Sequence, residues 1–395
     1  MKVLYITNSV TGRGGASVAI INLLEHLIKK GITPMVTCPS EGSFSQYLDE
    51  MGIPVRVIGN PLEIYPSLHS WRSYVKYPYL FMQMLMQRHS AYKKLCSCIE
   101  SFNPDLIHTN VGPIHIGYLA AKKYGIPHVW HIREYQKEDF GMYPFPSGNV
   151  FLNRIHDNEN HCISITKHIF EHFKLSQAKD KVIYDGVIDR KNAPVINVNK
   201  KKYILFVGRL EDAKGIKDLL SAYNQYALNN GLYNLYIAGN GNETYKNECV
   251  NIIDKKIKNR VVFLGERKHE EIYELMHDAS LFVVPSRNEG FGFITAEAMF
   301  NGTIVIGRNT GGTKEQFDNA KKVTGEELAF RFEDLNDLVT LLFKSQNLPD
   351  GIYRDMAFKA QKTVCQLYDI EKQADLVYSF YNSILQNRTS LTKRL

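Results

Sequence analysis

Two α/β domains in tandem, each built on a doubly wound parallel sheet, form the architecture this sequence predicts, and three observations carry that prediction. Short β-branched runs alternate with helix-length amphipathic segments, the pattern of parallel strands joined by helical crossovers. The scheme runs through the first half of the chain and starts again in the second. Between the halves lies a polar stretch rich in Asn and Lys, residues 189–194 and 197–202, which reads as an interdomain linker. The length agrees, because 395 residues make two or three domains at ~150 residues each.

Taken in order, the first half places strands at 3–7, 34–38, 55–58, 105–110, 128–132 and 162–166. The second half places them at 203–207, 234–238, 260–264, 281–284 and 303–306. The helix after the first strand closes at Lys29-Lys30-Gly31, and another runs from Gly215 to Leu228. The last helical segment, 370–385, sets Ile370, Ala374, Val377, Tyr381 and Ile384 close to a 3.6 period, so its role is to cover a sheet face. The domains are therefore expected at 1–188 and 189–369, with 370–395 packing back on the first. Doubly wound sheets accept ligands at the carboxyl ends of their strands, which points to a site in a cleft where the two domains face each other.

Composition narrows the class further. Apolar residues are 44% of the chain and charged residues 23%, which excludes disorder, collagen and coiled coil. Lys and Arg number 48 against 41 Asp and Glu, a balance of +7. No apolar run approaches the ~20 residues needed to cross a bilayer. Residues 1–7 lead straight into a turn, without the apolar core of a signal peptide, so a cytoplasmic location is expected. Of six Cys only Cys96 and Cys98 lie close together, which makes neither a metal knuckle nor a disulfide framework.

The residues suited to chemistry gather on loops after strands. Ser286 to Met299 follows a buried strand and opens a helix, with Gly290 and Gly292 allowing a sharp turn that brings N–H groups to the helix mouth. Glu289 falls in that turn and Glu297 in the first helical turn, so two carboxylates face one polyol-sized space; Glu297 equally suits the helix dipole. The second constellation is Gly208-Arg209-Leu210 with Lys214-Gly215, where two cations on a strand-to-helix connection could grip a diphosphate or stand solvated. Neither it nor Gly307 to Lys314 has the spacing or order of a phosphate-binding P-loop. Near the amino terminus Gly12-x-Gly14 starts a dinucleotide fingerprint that Ser17 does not complete, which leaves Gly14 and Gly15 at a helix start able to offer N–H groups to an anion or sugar. The fifth strand carries His131, Arg133 and Glu134 to the carboxyl edge, where His131 suits a catalytic, sugar-binding or structural role alike. His128 and His131 lack the further ligands of a zinc site. The chain has no Asp-x-Asp triplet to hold Mg²⁺ or Mn²⁺ on a diphosphate, so a metal-free site with Arg209 and Lys214 as its positive charge is expected.

Taken together, Gly14-Gly15-Ala16, Gly208-Arg209-Leu210 with Lys214-Gly215, Pro285-Ser286 with Glu289-Gly290-Phe291-Gly292, Glu297-Ala298-Met299 and Gly311-Gly312 resemble the retaining glycosyltransferases of family 4. That resemblance covers nearly the whole chain. It implies the GT-B fold, a nucleotide-sugar donor such as a UDP- or GDP-sugar bound by the carboxyl-terminal domain, an acceptor held by the amino-terminal one, and transfer with retention. By position, Arg209 and Lys214 would stabilise the leaving diphosphate, with Gly208 beside them. Glu289 and the N–H groups of Phe291, Gly292 and Phe293 would hold the donor sugar, and Glu297 the ribose. Gly15 would approach the diphosphate and His131 the sugar, while the leaving phosphate itself would take the acceptor proton. The pattern is broken at Asp185, where the family shows Asn, and at His131-Ile132-Arg133-Glu134, which is longer and more charged than the family's His followed by an acidic residue.

One stretch stands outside these motifs. From 67 to 99 the chain holds Arg72, Lys76, Arg88, Lys93 and Lys94 with no Asp or Glu, among Trp71, Tyr74, Tyr77, Tyr79 and Phe81. Such a surface suits docking on an anionic membrane where lipid-linked acceptors are presented, or a core helix with a solvated basic edge. No nucleic-acid motif accompanies the charge. The sequence thus predicts a cytoplasmic or inner-face peripheral hexosyltransferase that uses no cofactor and acts on a glycan or glycolipid. A hydrolase or epimerase of nucleotide sugars and a non-catalytic sugar-binding module are the alternatives.

Overall fold

The computed structural model describes residues 1–12, 14–66, 71–136 and 141–392. The chain divides into two compact units, Met1–Gly186 with the segment from Ile370 onward, and Val187–Asp369. The first unit holds β1 (Lys2–Ile6), β2 (Thr33–Cys38), β3 (Val55–Val57), β5 (Leu106–Thr109), β6 (His128–Ile132), β8 (Asn160–Ser164) and β9 (Lys181–Val182) in a parallel sheet of order β3-β2-β1-β5-β6-β8-β9. A separate antiparallel pair is made by β4 (Ile64–Pro66) and β7 (Met142–Pro144). Its helices are α1 (Gly15–Lys29), α2 (Ser43–Glu50), α3 (Trp71–Phe102), α4 (Ile116–Tyr124), α5 (Gly148–Ile155) and α6 (Lys167–His172).

The second unit repeats the plan with β10 (Lys201–Val207), β11 (Asn234–Ala238), β12 (Val261–Gly265), β13 (Ala279–Val284), β14 (Ile304–Arg308) and β15 (Phe330–Phe332), ordered β12-β11-β10-β13-β14-β15. Between and after these strands run α7 (Ile216–Leu228), α8 (Glu243–Ile252), α9 (His269–Asp278), α10 (Phe293–Phe300), α11 (Gly311–Thr324), α12 (Leu335–Gln346) and α13 (Asp350–Leu367). The chain then returns to the first unit as α14 (Ile370–Thr392).

Every strand of both main sheets is parallel, so helices cover both faces and the strands read as apolar runs. Leu23, Leu24 and Leu27 of α1 and Ala374, Val377, Tyr381 and Ile384 of α14 bury one face of the first sheet over Val3, Tyr5 and Val129. Ala91, Leu95 and Ile99 of α3 and Ile116 and Ala120 of α4 bury the other over Leu4, Ile6 and Ile107. In each sheet the connections run outward from a central strand, then jump back to its other side. The reversal lies between β1 and β5 in the first unit and between β10 and β13 in the second. Loops leaving those strands at their carboxyl ends diverge there, which opens space for a ligand.

The expected strands all occur, each within two residues of its predicted limits. Those the periodicity missed, β4, β7, β9 and β15, are two or three residues long, too short to show an alternation. The linker reading is corrected. The chain crosses between units at 186/187 and 369/370, and the polar stretch lies on the second unit. There Gln361 donates to the Pro194 carbonyl, the Ile196 side chain meets Gly302, and Lys201 already opens β10.

Candidate functional site

In the second unit the loops after β10 and β13 are laced together. Gly208 N–H continues the ladder to Ala238 O at 3.0 Å, and Leu210 N–H bonds Asn240 O at 2.9 Å. A 3-10 turn, Asp212–Lys214, then leads through Gly215 into α7. Gly215 has φ +67, and a Cβ on it would stand 2.1 Å from Pro285 O, so only glycine lets the two loops approach. Arg287 N–H bonds Ala213 O at 2.9 Å across the same seam.

This seam brings Lys214 and Glu289 together. Lys214 Nζ donates to Glu289 Oε1 at 2.7 Å, and both side chains keep part of their surface in solvent, 24% and 16%. Arg209, 72% exposed, pairs with Glu211 at 2.9 Å. Both cations chosen from the sequence therefore rest on carboxylates at the carboxyl edge. Behind Glu289 the backbone is fixed from below: Gly312 N–H donates to Glu289 O at 2.7 Å, and the Gln316 amide donates to Phe291 O and Gly292 O at 2.7 and 2.9 Å. A Cβ on Gly312 would come within 2.1 Å of Phe291 O. Phe291 is buried, its ring against Phe293 at 5.3 Å and Tyr368 at 5.2 Å, so it serves the loop through its backbone. Gly292, at φ +85, starts α10, whose first turn has no acidic residue and no side-chain cap. That mouth is electropositive and suits oxygen atoms of a sugar or phosphate.

Glu297 is a correction. It is the fifth residue of α10, one turn beyond the predicted first turn, so it does not serve the helix start. Its Oε1 stands 3.4 Å from His269 Nε2, and that interaction raises the His269 pKa above the usual imidazole value. His269, at the start of α9 with its ring tilted against Tyr273 at 4.2 Å, went unnoticed in the sequence because 28 residues separate it from its partner.

In the first unit, Gly14 caps α1 at φ +115, and its carbonyl accepts from Ser17 and Val18. The preceding loop is braced by hydroxyls: Thr7 donates to Ser9 at 3.0 Å and Ser17 to Ser9 at 2.8 Å. With Gly15 the first helical residue and no acidic side chain in its first turn, the start of α1 also presents positive potential.

His131 is corrected too. It lies one residue from the carboxyl end of β6 with no exposed surface, on the face covered by α1 and α14, and not open at the sheet edge as expected. Its ring packs edge-on against His108 at 5.3 Å, and burial holds its pKa well below the ordinary imidazole range, which keeps it neutral. Around it the sequence built a polar network that no local pattern announced. Arg133 pairs with Asp185 and donates to Asn110 Oδ1 at 3.2 Å. The Gln373 amide of α14 donates to Asp185 Oδ1 at 2.9 Å and accepts from Gly186 N–H at 3.0 Å. His108 Nδ1 meets the Tyr381 hydroxyl at 2.5 Å. Burial raises the Asp185 pKa, while Arg133 and Gln373 oppose the shift. Glu134 accepts from Gly112 N–H at 2.6 Å.

On the opposite face Glu63 is fully buried, 3.3 Å from Arg88 and 3.9 Å from Arg154, and accepts from His115 N–H at 3.2 Å. Burial pushes its carboxyl up to about 7 against the pull of both guanidinium groups. Among the described residues no group of three or more His, Cys, Asp or Glu is arranged to hold a metal ion, and no helix is long and apolar enough to cross a membrane.

Residues 13–189 match the family described as Glycosyltransferase Family 4, and residues 188–360 match Glycosyl transferases group 1. An uncharacterized glycosyltransferase of Methanocaldococcus jannaschii is 29% identical over 231 residues, 57% of this chain and 62% of that protein. Glycogen synthase of Mycobacterium tuberculosis is 27% identical over 241 residues, 56% of each. The chain thus spans about three fifths or less of these curated relatives. Among solved structures, Anabaena HepE, in complex with UDP, superposes with a TM-score of 0.76 at 20% identity over 97% of this chain and all of that one. Sucrose-phosphate synthase of Thermosynechococcus elongatus does so at 0.71 and 17% identity, covering 98% and 100%.

Proposed function

The chain belongs to the family 4 glycosyltransferases, and we propose that it moves a hexose-type sugar, with retention and without a metal ion, from a nucleotide-diphosphate donor to a glycan or lipid-linked acceptor. The observation that carries this reading is the Lys214–Glu289 pair at the strand reversal of the second unit, held by backbone contacts yet open to solvent. A donor diphosphate arriving there competes with Glu289 for the Lys214 ammonium, and Arg209 can leave Glu211 to join it. Charge building on the leaving diphosphate is then met by cations placed in advance, the usual source of electrostatic catalysis.

Released toward the sugar, the Glu289 carboxylate accepts from its hydroxyls, while backbone N–H groups of Phe291, Gly292 and Phe293 donate to its oxygens. Glu297, oriented by His269, accepts from the ribose. The diphosphate oxygen leaving the anomeric carbon takes the acceptor's proton, so no side-chain base is required. That role would otherwise fall to His131, which is neutral but sealed from solvent. In the first unit, the start of α1 at Gly14 and Gly15 suits a phosphate or sugar oxygen, and the basic, aromatic α3 suits an anionic membrane surface that presents the acceptor. We place the protein in the cytoplasm or at the inner membrane face.

HepE was crystallised with UDP and with UDP-glucose, which makes uridine nucleotides the first donors to try. Thermal-shift screening against UDP- and GDP-sugars identifies the donor, because a ligand that binds only the folded state raises its stability. With that donor, sugar transfer should require an acceptor and persist in EDTA. Fast, stoichiometric donor cleavage without any acceptor marks a hydrolase, and loss in EDTA reversed by Mn²⁺ rejects the metal-free site.

A further inference from the structure

Helix α3 leaves its amino-terminal turns almost bare. Trp71, Val75 and Tyr79 are 72%, 68% and 70% exposed, alongside exposed Arg72, Tyr74 and Lys76. The Arg72 guanidinium lies over the Trp71 ring at 5.6 Å. Further along, Met82 and Met86 are exposed, as are Lys93 and Lys94, and no acidic residue occurs from 71 to 99. An exposed apolar patch of this kind marks a surface that meets a partner, and its unopposed cations select an anionic one.

A cavity of about 240 Å³ lies against the same helix, walled by Tyr77, Phe81 and Met84 of α3, by Ile64 and Tyr65 of β4, and by Phe145. Its walls are built from aromatic contacts: Tyr65 meets Tyr77 at 5.3 Å and Tyr143 at 5.8 Å, and Phe81 meets Phe145 at 4.9 Å. Leu62 and Leu80, both on its lining, are exposed, so the cavity communicates with solvent. At roughly 30 Å³ per water-sized group, it holds a hydrocarbon segment of about eight carbons. The lining combines the apolar side chains of Leu62, Ile64, Leu80, Phe81, Met84 and Phe145 with the amides of Gln83 and Gln87 and the hydroxyls of Tyr65 and Tyr77, and it carries no charged side chain.

We propose that this cavity takes one hydrocarbon chain of an anionic lipid, while the first turns of α3 lie in the headgroup layer with Arg72 and Lys76 on its phosphates. Charge complementarity selects the lipid, and the aromatic walls receive the chain that a soluble phosphate lacks. The inference rests on the membrane side of the reading above and is independent of the donor loops in the second unit.

The full chain is mixed with vesicles of phosphatidylglycerol and phosphatidylcholine in equal parts, the former carrying a diazirine in its acyl chain, and the adducts are mapped after irradiation. Adducts on Phe81, Met84 or Phe145 are expected. Labelling confined to Trp71, Tyr74 and Tyr79, equal labelling from a phosphatidylcholine diazirine, or no labelling overturns the proposal. The double variant Arg72→Glu/Lys76→Glu should bind these vesicles at least roughly tenfold less well. Met84→Arg should abolish adducts on Phe81 and Phe145 yet still pellet with vesicles; unchanged adducts there overturn the cavity. Trp71 reports surface contact by its emission, since the other tryptophan, Trp130, is fully buried. The thermal unfolding midpoint of the same samples verifies folding, and their nucleotide-diphosphate binding is measured beside it. If that binding persists while cavity adducts are absent, the lipid inference alone falls; if it is absent while they appear, the donor reading alone falls.

Discussion

The two units reverse their strand order by the same topological step, yet they treat the charges at their carboxyl edges in opposite ways. In the second, Lys214 and Glu289 meet at 2.7 Å with part of each side chain in solvent, and Arg209 is 72% exposed. In the first, Arg133 and Asp185 are almost wholly buried and bound to Asn110 and Gln373. A pair that keeps part of its surface in solvent is worth less to stability than a sealed one and can exchange partners with an incoming ligand. A buried pair cannot be broken cheaply, because removing one partner strands the other charge away from water. Similar chemistry at the carboxyl edges of the two sheets therefore leaves a pair able to exchange partners in one unit and a sealed one in the other.

The largest test strikes the buried side. Arg133→Met should lower stability by about 3 to 5 kcal/mol, measured by denaturant unfolding, since Asp185 is left buried without its cation. A loss within the range of ordinary surface changes would show that Asp185 reaches solvent and would erase the contrast.

Glu63 extends that test to pH. Its folded pKa of about 7 lies above the ordinary 4.5, so the folded state holds this proton more tightly than the unfolded one. The stability it contributes is complete below about pH 4.5 and is lost as pH rises through about 7, in all roughly 3 kcal/mol at ~1.4 kcal/mol per unit. Glu63→Gln should remove this slope and leave a stability profile flatter between pH 5 and 7. An unchanged profile would assign the slope to other groups.

On the exposed side the effects should fall on activity instead. Glu289→Ala should cost ~1.5 to 3 kcal/mol of transition-state stabilisation, roughly 10- to 150-fold in kcat/KM, with the unfolding midpoint little changed. Wild-type rates would end its assigned role. Smallest and most selective is Lys214→Ala, which should weaken nucleoside diphosphate binding about tenfold and nucleoside binding hardly at all. Equal losses for both, read by calorimetry, would show that the ammonium supports the loop and does not grip phosphate.

How much was legible follows from how far apart the partners lie. Runs such as Leu281 to Val284 announce buried parallel strands by themselves, and Glu289, Gly292 and Gly312 stand within a single stretch of loop, helix and loop. Gly215 likewise signals a turn, though only the fold reveals that it makes room for Pro285 O. His131 misled because strand position tells which end of a sheet a residue approaches but not whether a returning helix covers it. That helix, α14, begins 239 residues later (370 − 131), and its Tyr381 sits beside His108. Asp185 shows the same effect: as a substituted turn residue it carried no prediction, yet it is the carboxylate that balances Arg133.

By itself, then, the sequence determined what short-range physics controls: two doubly wound sheets, glycine turns at their carboxyl edges, and the acidic and basic residues on those turns. Hydrophobic periodicity and backbone sterics act over a few residues and leave their mark in the local order of the chain. Tertiary structure alone decided which charges meet and which are sealed. Ion pairing and desolvation depend on separations of a few ångströms between residues far apart in sequence, such as Lys214 with Glu289, His269 with Glu297, and Arg133 with Asp185 and Gln373. For that reason Lys214 and Glu289 stay available to a ligand, while His131, equally polar and equally near a strand end, is enclosed.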